Sequence, residues 1–201
     1  MYYRFPDTGP TNKIKDGKYH SVFIINDNLF CFYQYDSSVA EPRSTFYFFN
    51  REGTLLYKNK ANGIFGRMFF VNNGANLIRF DGIKVYMYTV STTDNTNITN
   101  TQRQLTYTPY QKSPLYYFRY KDYYYIYRTS IKETDKYIYA FDCCKFENND
   151  LTSTAQIEID ANKNAPYPNA YWNSINYYGD NACLYYRPPD YSSFIPLIIT
   201  F

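Results

Sequence analysis

One stretch, Pro114 to Arg128, reads PLYYFRYKDYYYIYR and leaves the chain few ways to fold. Two aromatic runs flank a charged break at Arg119-Tyr120-Lys121-Asp122. Aromatic and β-branched side chains suit a pleated surface and the polar break suits a reversal, so the stretch predicts strand, turn, strand. Successive side chains of a strand point to opposite faces. Leu115 and Tyr117 then oppose Tyr116 and Phe118; on the second arm Tyr123, Tyr125 and Tyr127 oppose Tyr124 and Ile126. Neither arm alternates apolar with polar, as a sheet wetted on one side would. Both faces must be covered, and a sheet lying between other sheets, like a propeller blade, meets that demand. Tyrosine suits the position because its ring fills space while its hydroxyl reaches water or a carbonyl at the sheet margin.

Weaker copies of this unit run along the chain. Hairpins are predicted at Ser21–Ile25 with Leu29–Tyr33, at Thr45–Phe49 with Thr54–Tyr57, and at Leu77–Phe80 with Ile83–Val90 across Asp81-Gly82, a strong two-residue turn. Further strands are predicted at Arg67–Val71, Tyr137–Phe141, Ala155–Ile159, Ile175–Tyr178, Ala182–Arg187 and the C-terminus. The expected fold is all-β, a single domain over 1–201, with about four antiparallel four-stranded units. Their expected bounds are 18–63, 64–113, 114–164 and 165–201, with 1–17, around Tyr2-Tyr3, as a closing strand. Units of this length point to a β-propeller-like arrangement; a β-sandwich or jelly roll is the alternative. No WD dipeptide, kelch glycine pair or calcium loop marks the repeats. The polar tract Ser91 to Arg103, whose one large apolar residue is Ile98, reads as a protruding loop and a candidate partner contact.

Composition narrows the classes. A chain of 201 residues with 45% hydrophobic and 19% charged residues buries a substantial core and is not disordered. A net charge of +3 is too mild for a nucleic-acid surface, and no apolar run reaches membrane-spanning length. The first residues carry no apolar segment of the signal-peptide kind. Cys31, Cys143, Cys144 and Cys183 are expected as buried thiols, with an inter-strand disulfide as the alternative; the adjacent pair lacks metal-site spacing.

No chemical motif emerges. His20 is the one histidine, and no GxSxG, HExxH, phosphate loop or dinucleotide fingerprint occurs. Asp27, Asp81, Asp122, Asp142 and Asp180 read as turn formers rather than as the paired carboxylates of a glycosidase. No cofactor or metal is expected. For binding, Tyr171, Trp172 and Asn173 form an aromatic–amide group read as a loop, suited to sugar stacking or a protein contact. Arg119 and Asp122 on the central turn add polar contacts, and Asn97-Ile98-Thr99 is a glycosylation acceptor pattern. The expected function is a non-enzymatic recognition module for a glycan or protein surface. A structural subunit of a virion, phage tail or extracellular fibre, in a homo-oligomer or larger assembly, is the alternative. A carbohydrate-active hydrolase ranks third. An extracellular or virion-associated setting is favoured over the cytoplasm.

Overall fold

The computed structural model describes residues 21–41, 43–109, 116–133, 136–160, 171–178, 181–187 and 195–200; beyond residue 109, side chains are described for 117, 119, 121–126 and 141–156. Outside the described residues lie 1–17, His20, Pro114, Leu115, the loop with Pro166 and Pro168, and Asp180. The fold is all-β in several antiparallel sheets, with no α-helix among the described residues. No helix of the described residues is long and apolar enough to cross a membrane. The chain divides into two compact units, Met1–Thr106 and Tyr107–Phe201.

The first unit holds two sheets. Strands β1 (Ser21–Asn26), β2 (Leu29–Asp36), β3 (Arg43–Asn50) and β4 (Leu55–Asn62) form an antiparallel meander. Strands β5 (Met68–Val71), β6 (Asn76–Asp81) and β7 (Lys84–Thr89) form the second. Register sets the faces of the first sheet. One cross-strand row is Phe23, Cys31, Phe48 and Tyr57; the next is Ser21, Tyr33, Phe46 and Asn59. Cys31, Tyr33, Phe46 and Phe48 from these rows share one buried cluster with Phe65, Met68, Leu77 and Tyr88 of the second sheet and its approach. Phe48 stacks on Tyr57 at 4.6 Å and takes the edge of Phe70 at 5.6 Å, geometries that add to simple area burial.

Polar atoms inside this cluster are paired, as burial requires. The Phe65 N–H donates to the Tyr33 hydroxyl, Tyr33 lies 3.0 Å from the Ser44 hydroxyl, and Ser44 donates to the Gly63 carbonyl. The turns lean on asparagine: Asn72, Asn73, Asn95, Asn148 and Asn149 all take positive φ, a region asparagine tolerates better than most residues. At Gly74, φ is +91° and an added Cβ would meet Ile25 Cγ2 at 3.0 Å, so both conformation and space call for glycine.

The polar tract after β7 does not protrude. It lays β8 (Thr96–Asn97) parallel to β4, makes a short 3-10 turn over Ile98–Thr101, and adds β9 (Arg103–Gln104) to the edge of β7. Ile98, 1% exposed, plugs into the cluster. The buried Asn59 amide pairs with both backbone groups of Ser91, at 2.9 Å each, in imitation of a strand neighbour. Lys58 N–H donates to Asp94, Asn62 N–H to Thr99 and Thr89 N–H to Thr101. One apolar plug and many hydroxyl and amide acceptors thus turn a hydrophilic sequence into a strap joining the two sheets.

The second unit begins with β10 (Tyr116–Tyr120), β11 (Tyr123–Glu133), β12 (Lys136–Glu147) and β13 (Asp150–Asp160), a four-stranded meander. The Lys121-Asp122 turn reverses the chain with Lys121 at φ 51°. Tyr124, Tyr125 and Ile126 are consecutive and all buried, as are Phe141, Asp142, Cys143 and Cys144. Consecutive strand residues occupy both faces, so this sheet is covered on both sides there. A second, three-stranded sheet comprises β14 (Tyr171–Tyr178), β15 (Asn181–Arg187) and β16 (Ile195–Thr200). Cys31, Cys143 and Cys144 are free, buried thiols; the side chain of Cys183 lies outside the described residues.

Candidate functional site

The residues singled out for binding fall in two sheets. Tyr171 and Trp172 do not stand on a loop: they open β14, opposite Arg187 and Tyr186 of β15. Asn173 sits where the register shifts between Trp172 and Ser174, an irregularity that leaves one residue unmatched in the ladder. Their side chains lie outside the described residues. Arg119 is exposed at the end of β10 and engaged locally: its Nε donates to the Lys121 carbonyl, and its guanidinium lies 5.9 Å from the Tyr124 ring centroid. Asp122 is an exposed turn residue in the same hairpin. Arg119 and Asp122 therefore share one turn, in a different sheet from Tyr171, Trp172 and Asn173.

Asn97 is exposed, but its acceptor pattern is folded into the strap. Its side-chain oxygen accepts the Thr99 N–H, its amide donates to Asn62, and Ile98 between them is buried. Among the other acids, Asp27 and Asp81 are exposed turn or strand-end residues.

Asp142 departs from its expected role as a turn former. It lies inside β12 and is 4% exposed. Tyr107 donates to one of its oxygens at 2.6 Å and Ser153 to the other at 2.7 Å. Burial above all, then the neighbouring Cys144 and Asp142, pushes the Tyr107 hydroxyl far above its ordinary range, so it stays a donor. Burial, then Asp142, pushes the Cys144 thiol up to about 12. A thiol held protonated is a poor nucleophile, and the two carboxyl oxygens already have donors. The cluster is built to hold strands together: next to it, the ladder shifts between Cys143 and Cys144, and the Thr154 hydroxyl takes up the Cys143 carbonyl.

The surface the sequence did not single out is the second face of the first sheet. Its rows are Val22, Phe32, Tyr47 and Lys58, then Ile24, Phe30, Phe49 and Leu55. Phe30 and Phe49 are buried and Phe32 meets Phe49 edge-on at 5.3 Å. Around them Val22, Ile24, Leu55 and Leu56 are exposed by 53%, 63%, 45% and 49%. The ladder shift between Phe48 and Phe49 accounts for the adjacent pair Leu55 and Leu56 at the start of β4. One signal was legible: β1 reads Ser-Val-Phe-Ile-Ile-Asn, with apolar residues of both parities and no charge. The exposed residues form two pairs, Val22 and Ile24 on β1 and Leu55 and Leu56 on β4, with buried Phe30 and Phe49 of β2 and β3 between them. Exposed apolar residues in groups mark contact surfaces, whereas single ones are ordinary.

The chain matches no protein-family model, no curated protein and no solved structure.

Proposed function

We propose that this protein is a non-enzymatic recognition module that meets a protein partner through the second face of its first sheet. One observation carries the reading: Val22, Ile24, Leu55 and Leu56 lie exposed on a sheet whose opposite face is packed into a core. The four exposed side chains are aliphatic, gain from a matching apolar surface and offer a sugar neither a ring face nor a hydrogen bond, and the Phe32 and Tyr47 rings between them are only partly exposed. A protein is therefore favoured over a glycan at this face. We take the four sheets as blades of a propeller-like arrangement; burial of the second sheet on both faces supports this, while two sheets over one core in the first unit also suit a sandwich.

The test uses Ile24→Lys combined with Leu55→Lys. A protein partner retained by the wild-type chain and lost by this variant, at unchanged melting temperature, supports the reading. A partner held equally by both, or a glycan whose binding is lost only in Trp172→Ala, moves the site to β14. A second reading, a structural subunit of an assembly, draws on the same face. It requires the wild-type chain to sediment as an oligomer and the double variant as a monomer.

A further inference from the structure

The chain contains two Asn-Gly pairs in its first unit, Asn62-Gly63 and Asn73-Gly74, and the fold treats them differently. Glycine after asparagine leaves the following amide nitrogen sterically open to the asparagine side chain. That nitrogen can attack Asn Cγ; the Cγ–Nδ2 bond breaks and ammonia leaves, carrying the amide proton. Water then opens the cyclic succinimide at either carbonyl, giving aspartate or isoaspartate.

Both asparagine side chains are exposed, so the difference lies at the glycines. Gly63 is half-buried in a bend just past β4, at φ +80°, and a Cβ there would meet nothing within 4 Å. Gly74 is buried at φ +91°, within 3.0 Å of Ile25 and 3.1 Å of Leu29 by the same measure. It is also closed into a 3-10 turn by the Ala75 N–H to Asn72 carbonyl bond. Swinging Asn73-Gly74 into the attack geometry means lifting Gly74 off the core, whereas at Asn62-Gly63 the end of β4 has only to release its hydrogen bonds to Ser44, Thr99 and Asn97, with no side chain packed against Gly63.

We propose that Asn62-Gly63 is a site of spontaneous deamidation and isoaspartate formation, and that Asn73-Gly74 is protected by the fold. The consequence is specific to this chain. The Gly63 carbonyl accepts the Ser44 hydroxyl at 2.7 Å, and two residues on the Phe65 N–H donates to Tyr33 at 2.8 Å. Isoaspartate inserts a methylene into the backbone immediately before these contacts. It also breaks the setting in which Asn62 N–H reaches Thr99 at 2.7 Å and Asn97 reaches the Asn62 side chain. Ageing at this one site therefore loosens both the buried hydroxyl chain and the strap.

The full chain, incubated at mildly alkaline pH, is followed by peptide mapping with fragmentation that separates aspartate from isoaspartate. Conversion at Asn62 is expected at least about tenfold faster than at Asn73, and the ratio should fall towards unity in urea, where the fold no longer protects Gly74. Ser44→Ala, which frees the Gly63 carbonyl, should raise the Asn62 rate and leave Asn73 unchanged. Equal rates in the folded protein, faster conversion at Asn73, or an asymmetry that persists undiminished in urea overturns the proposal. If Ser44→Ala does not fold, the comparison of native with urea-treated wild-type chain decides alone.

Discussion

The two sheets of the first unit are built from the same vocabulary and end differently. Both carry large apolar residues on both faces of their strands. In the second sheet, Phe69, Val71, Ile78, Phe80, Val85 and Met87 occupy the face turned away from the shared cluster, and all are buried. In the first sheet the equivalent face leaves Val22, Ile24, Leu55 and Leu56 exposed. Composition cannot tell these faces apart; only what lies against them does. On that face Phe30 and Phe49 in the middle are buried and the exposed apolar residues lie on the outer strands β1 and β4; exposed apolar groups of this kind are the ones a contact would cover.

A pair of matched truncations should separate the two faces most strongly. Ile78→Ala should cost about 2–5 kcal/mol in chemical denaturation, as methylenes removed from a closed face leave a cavity. Ile24→Ala should stay within about 0.5 kcal/mol of wild type, as surface changes do. Similar costs would mean that the two faces are covered alike.

The strap offers a smaller effect. Asn59→Ala leaves the Ser91 N–H and carbonyl without their partner and should destabilise the first unit by about 1–3 kcal/mol. Hydrogen exchange should quicken first at residues 91–104, since these detach before the sheets do. Exchange that quickens equally in β2 and β3 would count against a strap that moves as a unit.

The second unit can be probed through pH. Cys144 rises from an ordinary 9.0 to about 12 because burial penalises the thiolate. The unfolded chain therefore ionises first as pH climbs, and the folded chain holds more protons. Stability from this group is complete below about pH 9 and is lost progressively up to about pH 12, at no more than about 1.4 kcal/mol per pH unit. Cys31, also raised by burial, acts in the same direction in the first unit. The denaturation midpoint of Cys144→Ala, followed against pH, should fall less steeply than that of wild type over this range. An unchanged slope would assign the alkaline loss elsewhere. The smallest effect is expected at Arg119→Ala, within about 0.5 kcal/mol, because its contacts are local and exposed.

What the sequence disclosed followed from local rules. Asp81-Gly82 makes its hairpin turn, and Lys121-Asp122 reverses the aromatic stretch, because turn chemistry and strand propensity act over a few residues. The unbroken apolar run Tyr123 to Tyr127 required cover on both sides, and Tyr124, Tyr125 and Ile126 have it. Misreadings came where tertiary contacts reverse a local signal. The tract Ser91 to Arg103 is hydrophilic because its side chains bond to neighbouring strands rather than to water alone, and Ile98 was the clue. Asp142 resembled a turn residue until Tyr107 and Ser153, distant in sequence, met its two oxygens. Trp172 looked like a loop residue because prolines precede it, yet pairing with Tyr186 starts the strand there. Exposure on one face of the first sheet left only the uncharged, doubly apolar run of β1 as a signal, since its residues otherwise match those of covered faces.

The most direct test of the central contrast places one charge on each face. Ile24→Asp should fold with a melting temperature close to that of wild type and remain cooperative. Ile78→Asp buries an unpaired carboxylate and should abolish the cooperative transition of the first unit. If Ile24→Asp proves as damaging as Ile78→Asp, the face of the first sheet is closed, and the recognition surface assigned to it does not exist.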